Sequence, residues 1–274
     1  MGRKVHTVLL TGGSSGIGAE TARLLAAAGM KVYAASRRGT VPAECASCGN
    51  IVPIVMDVNS DGSVNAAVEQ IIAAEGRIDA VVCNAGNGIA GAVEDTDVEE
   101  AKYQFETCFF GAHRVIRAVL PHMREAGFGR IVTVSSVAAV VPIPYQTFYS
   151  SVKAALLIYT KSLSLEVKGF GIQCCSILPG DTKTGFTSAR KSTRQAEDAA
   201  GPYYATFKKS VGRMEHDEQN GMPASRIAGA VVRQLQRRRM RPTVTPRIDY
   251  KAVTFLIRIL PTRLMLWLVG KIYA

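Results

Sequence analysis

Long uninterrupted apolar runs are missing from this chain. Its most hydrophobic stretch, KAVTFLIRILPTRLMLWLVGKIYA, is broken by Arg258, Pro261 and Arg263, well short of the ~20 apolar residues that a bilayer-spanning helix needs. Metal-ligand spacing is missing too. Of six cysteines, Cys45 and Cys48 form one C-x-x-C with no second pair at zinc spacing, and His6, His113, His122 and His216 are scattered. No metal site is expected, and the thiols read as those of a reduced, cytoplasmic protein. No secretory signal precedes the strand-like VHTVLLTGG, and MGRKVH fails the myristoylation pattern because residue 6 is His. Internal repeats and Pro/Gly/Ser linkers are absent as well. Charge is sparse at 20% against 47% in the hydrophobic set, so the 274 residues can bury a substantial core and nothing reads as disordered.

Acidic residues are scarce at one end. From Arg226 onward there are eleven Lys/Arg and one acid, Asp249, whereas the first 225 residues hold 22 basic and 21 acidic side chains. A neutral body with a basic tail implies an acidic partner or an anionic membrane surface. Nucleic acid is not expected, because the tail offers phosphate attraction without a reading motif. Within the tail, Lys251, Arg258 and Thr262 can share one helical face while Phe255, Leu256 and Ile259 lie elsewhere, and Leu264 to Val269 are apolar all round. That pattern fits an element lying on a membrane, behind the basic RRRMR at 237–241, and equally a helix over a substrate pocket or a subunit neighbour.

The remainder alternates apolar, β-rich runs with helical patterns. Strands are predicted at Val5–Leu10, Lys31–Ala35, Ile51–Met56, Ala80–Cys83, Arg130–Ser135 and Ile172–Leu178, with a short one near Pro242–Thr245. Helices are predicted at about 16–29, 60–75, 94–126 (broken), 147–168 and 223–239. Near-continuous apolar strands separated by helices predict an α/β fold, a doubly wound parallel sheet of about seven strands covered on both faces. Residues 181–222, polar and carrying Gly and Pro, fall outside the alternation and read as a substrate loop or lid.

Three stretches carry chemistry. VLLTGGSSGIGAE joins the first strand to the first helix with Gly12, Gly16 and Gly18 spaced for a tight turn. With Ser14, Ser15 and Ile17, they would bring backbone N–H groups at a helix N-terminus to a pyrophosphate. YAASRR ends the second strand with Ser36 where an acid would grip the adenosine ribose, followed by Arg37 and Arg38. Guanidinium groups there bind a 2′-phosphate that a carboxylate would repel, so NADP(H) is favoured, with NAD(H) as the alternative. In YSSVK, Tyr149 and Lys153 lie four apart and share a helical face, where an ammonium can stabilise a phenolate.

Together these parts resemble the classical branch of the short-chain dehydrogenase/reductase family over residues 5 to about 185. The resemblance rests on TGGSSGIG at 11–18, NAG at 84–86, Ser136, YSSVK at 149–153 and PGDTKT at 179–184. It implies a Rossmann-type domain over residues 1–248 with residues 249–274 as an extension of it. Tyr149 would be the acid/base, Lys153 would hold the nicotinamide ribose, and Ser136 would bind the reacting carbonyl oxygen in preference to Ser135. Asp57, with Val58 beside it, would contact the adenine. Asn84, Ala85 and Gly86 would steady the central sheet beside the cofactor, and Pro179, Gly180, Thr182 and Thr184 would grip the nicotinamide carboxamide. The family usually has an asparagine in an N-x-x-G pattern before the fifth strand; aligned on Gly111, this chain has Cys108 there.

The expected reaction is hydride transfer between NADP(H) and a ketone/secondary alcohol pair. The apolar tail and the long 181–222 segment suggest a bulky hydrophobic substrate: a steroid, bile acid, retinoid or 3-keto lipid. Reduction of a 3-oxoacyl thioester on an acidic carrier is one alternative, and a non-catalytic NADPH-binding sensor is another. The resemblance also implies a homodimer or homotetramer joined through helices near 102–126 and 147–168. The protein is expected in the cytoplasm, with peripheral attachment to membrane as a variant.

Overall fold

The computed structural model describes residues 3–273. The chain enters through β1 (Thr7–Thr11), whose five residues are all buried, as a strand covered on both faces must be. It continues through α1 (Gly16–Ala27), β2 (Lys31–Ser36), β3 (Ile51–Val55), α2 (Asp61–Glu75) and β4 (Ala80–Cys83). Next come α3 (Val98–Phe105), a π-helical turn at Glu106–Phe110, α4 (Gly111–Glu125), β5 (Gly129–Val134), α5 (Thr147–Glu166) and β6 (Ile172–Ile177). The C-terminal third holds α6 (Tyr204–Gln219), α7 (Ala224–Gln236), β7 (Thr243–Val244), α8 (Ile248–Ile259) and α9 (Thr262–Tyr273).

The seven strands form one sheet in the order β7-β6-β5-β4-β1-β2-β3, with every neighbouring pair parallel. Alternation along β1 sends Leu9 to one face and Val8 and Leu10 to the other. On the Leu9 side lie Val68 and Ile71 of α2, Val115 and Val119 of α4 and Leu156 of α5. On the other side lie Leu25 of α1 and Ile227 and Val231 of α7. Sheet order reverses between β1 and β4, and loops after strands that diverge from such a point frame a crevice at their C-terminal ends.

The structure gives one sequence expectation its physical form and corrects two others. The break in the 94–126 helix is a π turn: α3, opened by an Asp97/Glu100 capping box, runs into Glu106–Phe110 before the α-helix resumes. A Cβ on Gly111 would lie 2.8 Å from Val58 Cγ2, so the residue after that turn is held against the loop that follows β3. Residues 181–222 are not a loop. They contain the 16-residue α6, whose buried stripe is only Phe207, Ser210 and Met214, too narrow to show against a polar composition. In the tail, the helix stops at Leu260, whose backbone is extended ahead of Pro261. Thr262 therefore begins α9 and does not extend the face of Lys251 and Arg258. Among the described residues no helix is long and apolar enough to cross a membrane.

Candidate active site

The glycine loop after β1 packs as tightly as its sequence requires. Gly12 has φ +68, and a Cβ on Gly18 would lie 2.0 Å from the Gly12 carbonyl oxygen. Ser15, the N-cap of α1, makes no side-chain capping bond, and no acid occupies the first turn. The N-terminal N–H groups of α1 are thus left to an outside acceptor. Asn84 ties this loop to the end of β4: its Nδ2 donates to the carbonyls of Thr11 at 3.1 Å and Gly12 at 3.2 Å. Thr11 Oγ1 in turn accepts from the Asn84 and Ala85 N–H groups at 3.0 and 2.9 Å. This glycine-lined cradle fits a dinucleotide pyrophosphate, and Gly16, at φ +53, faces the Thr184 side chain across it.

At the end of β2, Thr40 N–H donates to Ser36 Oγ at 3.4 Å. Arg37 and Arg38 are exposed, and neither forms an ion pair among the described residues. After β3, Asp57 Oδ1 accepts the Asn59 N–H at 3.0 Å while Val58 is buried against the π turn. These residues border the same crevice from the β2–β3 side.

Strand β5 ends in two serines with different partners. Ser135 is buried and its Oγ donates to the Lys153 carbonyl at 2.7 Å, fastening β5 to α5. Ser136 is half-buried and caps the turn Val137–Ala139, accepting the Ala138 N–H at 3.1 Å. On the first turns of α5, Lys153 is only 6% exposed. Its Nζ donates to the Val134 carbonyl at 3.0 Å and lies 5.6 Å from the centroid of the Tyr149 ring. A Cβ on Gly86 would meet both Cys108 Sγ, at 3.3 Å, and Lys153 Nζ, at 3.7 Å. The third residue of NAG therefore sits between the thiol and the ammonium.

Cys108 is embedded in a network that sequence reading missed. Gln104 Nε2 donates to Cys108 Sγ at 3.1 Å and to the Asn87 carbonyl and Oδ1 at 2.9 Å each, while Gln104 Oε1 accepts the Ile89 N–H at 2.9 Å. The thiol itself donates toward Asn87 Oδ1 at 3.3 Å. The π turn is thus pinned to the NAG loop by an amide and a thiol.

The 181–222 segment supplies the outer wall. Ile89–Ala90 pairs in parallel with Lys191–Ser192, bringing the Phe186 ring to 5.7 Å from that of Tyr149 and directly over Gly88. Behind Phe186, Arg190 stacks at 5.9 Å from its ring and pairs with Glu218 of α6. Burial pushes the Glu218 carboxyl above its usual range, and the Arg190 charge opposes that. In PGDTKT, the Pro179 carbonyl accepts the Val137 N–H at 2.8 Å and Thr182 Oγ1 donates to the Gly180 carbonyl at 2.7 Å. The ring of Tyr250, from α8, covers Gly180, and its hydroxyl donates to the Asp181 carboxylate. Burial raises the Asp181 pKa, against the pull of that hydrogen bond. Neither Phe186 nor Tyr250 carries a sequence signal, because each is a lone aromatic recognisable only from what it packs on.

The geometry sets Lys153 beside Tyr149 and ties it to the end of β5, from which Ser136 follows, while Thr184 faces Gly16 across the glycine cradle. Comparison with known proteins gives the family. Residues 6–195 match the family model for short chain dehydrogenase. The chain is 42% identical over 234 residues to 3-ketodihydrosphingosine reductase of Bacteroides thetaiotaomicron, covering 84% of each. Among solved structures, a short-chain dehydrogenase from Streptomyces avermitilis superposes with a TM-score of 0.81 at 29% identity, over 92% of both chains. A Burkholderia phymatum family structure in complex with NAD gives 0.81 at 21% identity, over 93% of this chain and 94% of that one. The chain belongs to the short-chain dehydrogenase/reductase family. It is an oxidoreductase acting on CH–OH groups, and its neighbours bind NAD or NADP.

Proposed function

We propose that this protein is an NADP(H)-dependent reductase that converts the ketone of a long-chain 3-keto lipid to a secondary alcohol. The observation that carries the reading is the placement of the Lys153 ammonium 5.6 Å from the Tyr149 ring, with the Phe186 ring packed beside that tyrosine. When bound, the nicotinamide supplies the hydride. Tyr149 donates the proton to the carbonyl oxygen, and in the reverse direction its phenolate removes the hydroxyl proton. Ser136 hydrogen-bonds the same oxygen. Lys153, fixed by the Val134 carbonyl, holds the nicotinamide ribose and favours the phenolate. Phe186 and Gly88 close the wall beside Tyr149 and exclude water.

Two features support the finer assignments. Arg37 and Arg38 offer unpaired guanidinium groups where an adenosine 2′-phosphate would lie, which favours NADP(H). The likeness to 3-ketodihydrosphingosine reductase, together with the aromatic wall, favours a 3-keto lipid over a carrier-bound thioester. A homodimer or homotetramer through α4 and α5 is expected from the exposed apolar Ile158 and Leu165 of α5 and Phe110, which precedes α4. The tail is expected against an anionic membrane.

The test is NADPH oxidation by the purified chain with a panel of long-chain 3-keto lipids, short ketones and carrier-bound 3-oxoacyl thioesters. Tyr149→Phe is expected to lower turnover at least about a hundredfold while NADPH binding, followed by its fluorescence, is kept. Undiminished turnover in that variant would remove Tyr149 from the chemistry. Tight NADPH binding with no turnover on any substrate would favour the sensor reading.

A further inference from the structure

The outer surfaces of α8 and α9 carry a feature that the reaction does not use. Each helix turns one narrow stripe inward: Tyr250, Thr254 and Ile257 on α8, and Met265, Val269, Gly270 and Tyr273 on α9, are its half-buried or buried residues. Tyr250 is fastened to Asp181, and α9 rests on α6. The pair is therefore docked on the substrate segment, not trailing from it. Everything else on these helices faces outward, and much of it is apolar. Phe255 is 62% exposed, Ile259 63% and Trp267 58%, with Leu264, Leu268 and Ile272 also exposed. A soluble surface seldom leaves so many large apolar side chains together unless something covers them.

The charges say what covers them. Lys251, Arg258, Arg263 and Lys271 are interspersed among these side chains, all exposed, and none has an acidic partner among the described residues. The one acid of the region, Asp249, is taken by Arg247 at 2.7 Å. Lys271 Nζ lies 6.0 Å from the centre of the Trp267 ring, an indole beside an ammonium as at a headgroup boundary. The helices are 12 residues each, too short to span a bilayer but suited to lying in its interface. We propose that α8 and α9 form a docking surface for an anionic lipid bilayer, which seats the substrate segment on the membrane so that a lipid ketone passes from the bilayer to Tyr149 without crossing water. This purpose rests on the 3-keto lipid reading, whereas the docking itself rests only on the two helices. A second copy of the chain is the less suited occupant, since pairing the surface with itself would bring these unpaired cations together.

Trp267 is the sole tryptophan of the chain and lies on the proposed surface, so it reports directly. The full-length protein is mixed with phosphatidylcholine vesicles, with or without phosphatidylglycerol, and followed by sedimentation and tryptophan fluorescence. Expected are binding to the anionic vesicles, a blue shift of emission and quenching by brominated acyl chains, with binding weakened by salt. Phe255→Glu with Trp267→Glu, read by sedimentation, is expected to cut binding by at least about tenfold, and Arg258→Glu with Arg263→Glu to abolish preference for anionic lipid. Both pairs should keep NADPH oxidation with a short water-soluble ketone, so a failed reductase assignment and a failed docking surface give different results. Absence of vesicle binding, or emission unchanged on binding, overturns the proposal. So does light scattering in which the Phe255→Glu/Trp267→Glu variant falls to a smaller oligomer and the native chain ignores vesicles, which would assign the surface to a second copy.

Discussion

A guanidinium and a carboxylate respond oppositely to an adenosine 2′-phosphate, and the end of β2 carries two of the former. Because Arg37 and Arg38 are exposed and without acidic partners, replacing them costs the fold little. Replacing both with Ala is expected to weaken NADPH binding by about 1.5–3 kcal/mol, the usual range for hydrogen bonds to charged groups, and to leave NADH binding nearly unchanged. Titration calorimetry with both cofactors checks this, and equal losses would place the 2′-phosphate elsewhere. Gly18 makes the opposite case, since its own fold depends on it. With the Gly12 carbonyl 2.0 Å from any Cβ at that position, Gly18→Ala must displace the turn and is expected to weaken both cofactors alike. At this scale the sequence was informative. The glycines share one turn, and Tyr149 and Lys153 lie one helical turn apart, so spacing makes each group legible, while NAG and Ser136 reach them only through the order of the sheet. Ser135 and Ser136 differ in their partners, since the Ser135 hydroxyl is spent on the Lys153 carbonyl.

Between residue and molecule stands the π turn. Inserting one residue into an α-helix breaks the regular i→i−4 ladder, and such turns persist where other bonds hold them. Here the holder is Gln104, fully buried, with bonds to Asn87, Ile89 and Cys108. Gln104→Leu keeps the approximate volume and leaves the Ile89 N–H and the Asn87 oxygens without that partner. The Asn87 oxygens keep the Cys108 thiol, so a loss of about 1–3 kcal/mol in urea unfolding is expected, the cost of the one buried N–H left unpaired. Cys108→Ser should lose far less, because a hydroxyl can repeat the thiol's bonds. A Gln104→Leu variant as stable as the native chain would show that the π turn holds itself. None of this network was legible beforehand. A broken helix could be foreseen at 94–126, but Gln104 and Asn87 meet across 17 residues with no periodicity to announce it. The helix α6 was missed for a related reason: three buried residues in sixteen leave too faint a stripe to distinguish a helix from a polar loop.

At the scale of the whole molecule, sheet order explains why the site lies where it does. β4, β1 and β5 are central, and the loops after them bring NAG, the glycine turn and Ser136 to one edge, as parallel doubly wound sheets do. What the sheet does not build is the outer wall, which depends on contacts between distant segments. Tyr250 and Asp181 are 69 residues apart, and nothing in either neighbourhood points to the other. Their pairing leaves a pH signature. Asp181 lies within reach of Tyr250, Asp217, Arg247 and Arg190, and burial outweighs the hydrogen bond and the cations, raising its pKa above the ordinary 3.8. A carboxyl raised on folding binds its proton more tightly in the native state. Its contribution to stability is therefore complete below the unfolded value and is lost as pH rises through the folded one. Asp181→Asn keeps an acceptor for the Tyr250 hydroxyl and removes the titration. The variant's Tm minus that of the native chain should therefore increase as pH rises from about 4, the ordinary carboxyl range, toward neutrality. Differential scanning calorimetry across that window decides it. A constant difference would mean that Asp181 is not desolvated by the tail, and α8 would then be joined to the reaction wall by its Tyr250 ring alone.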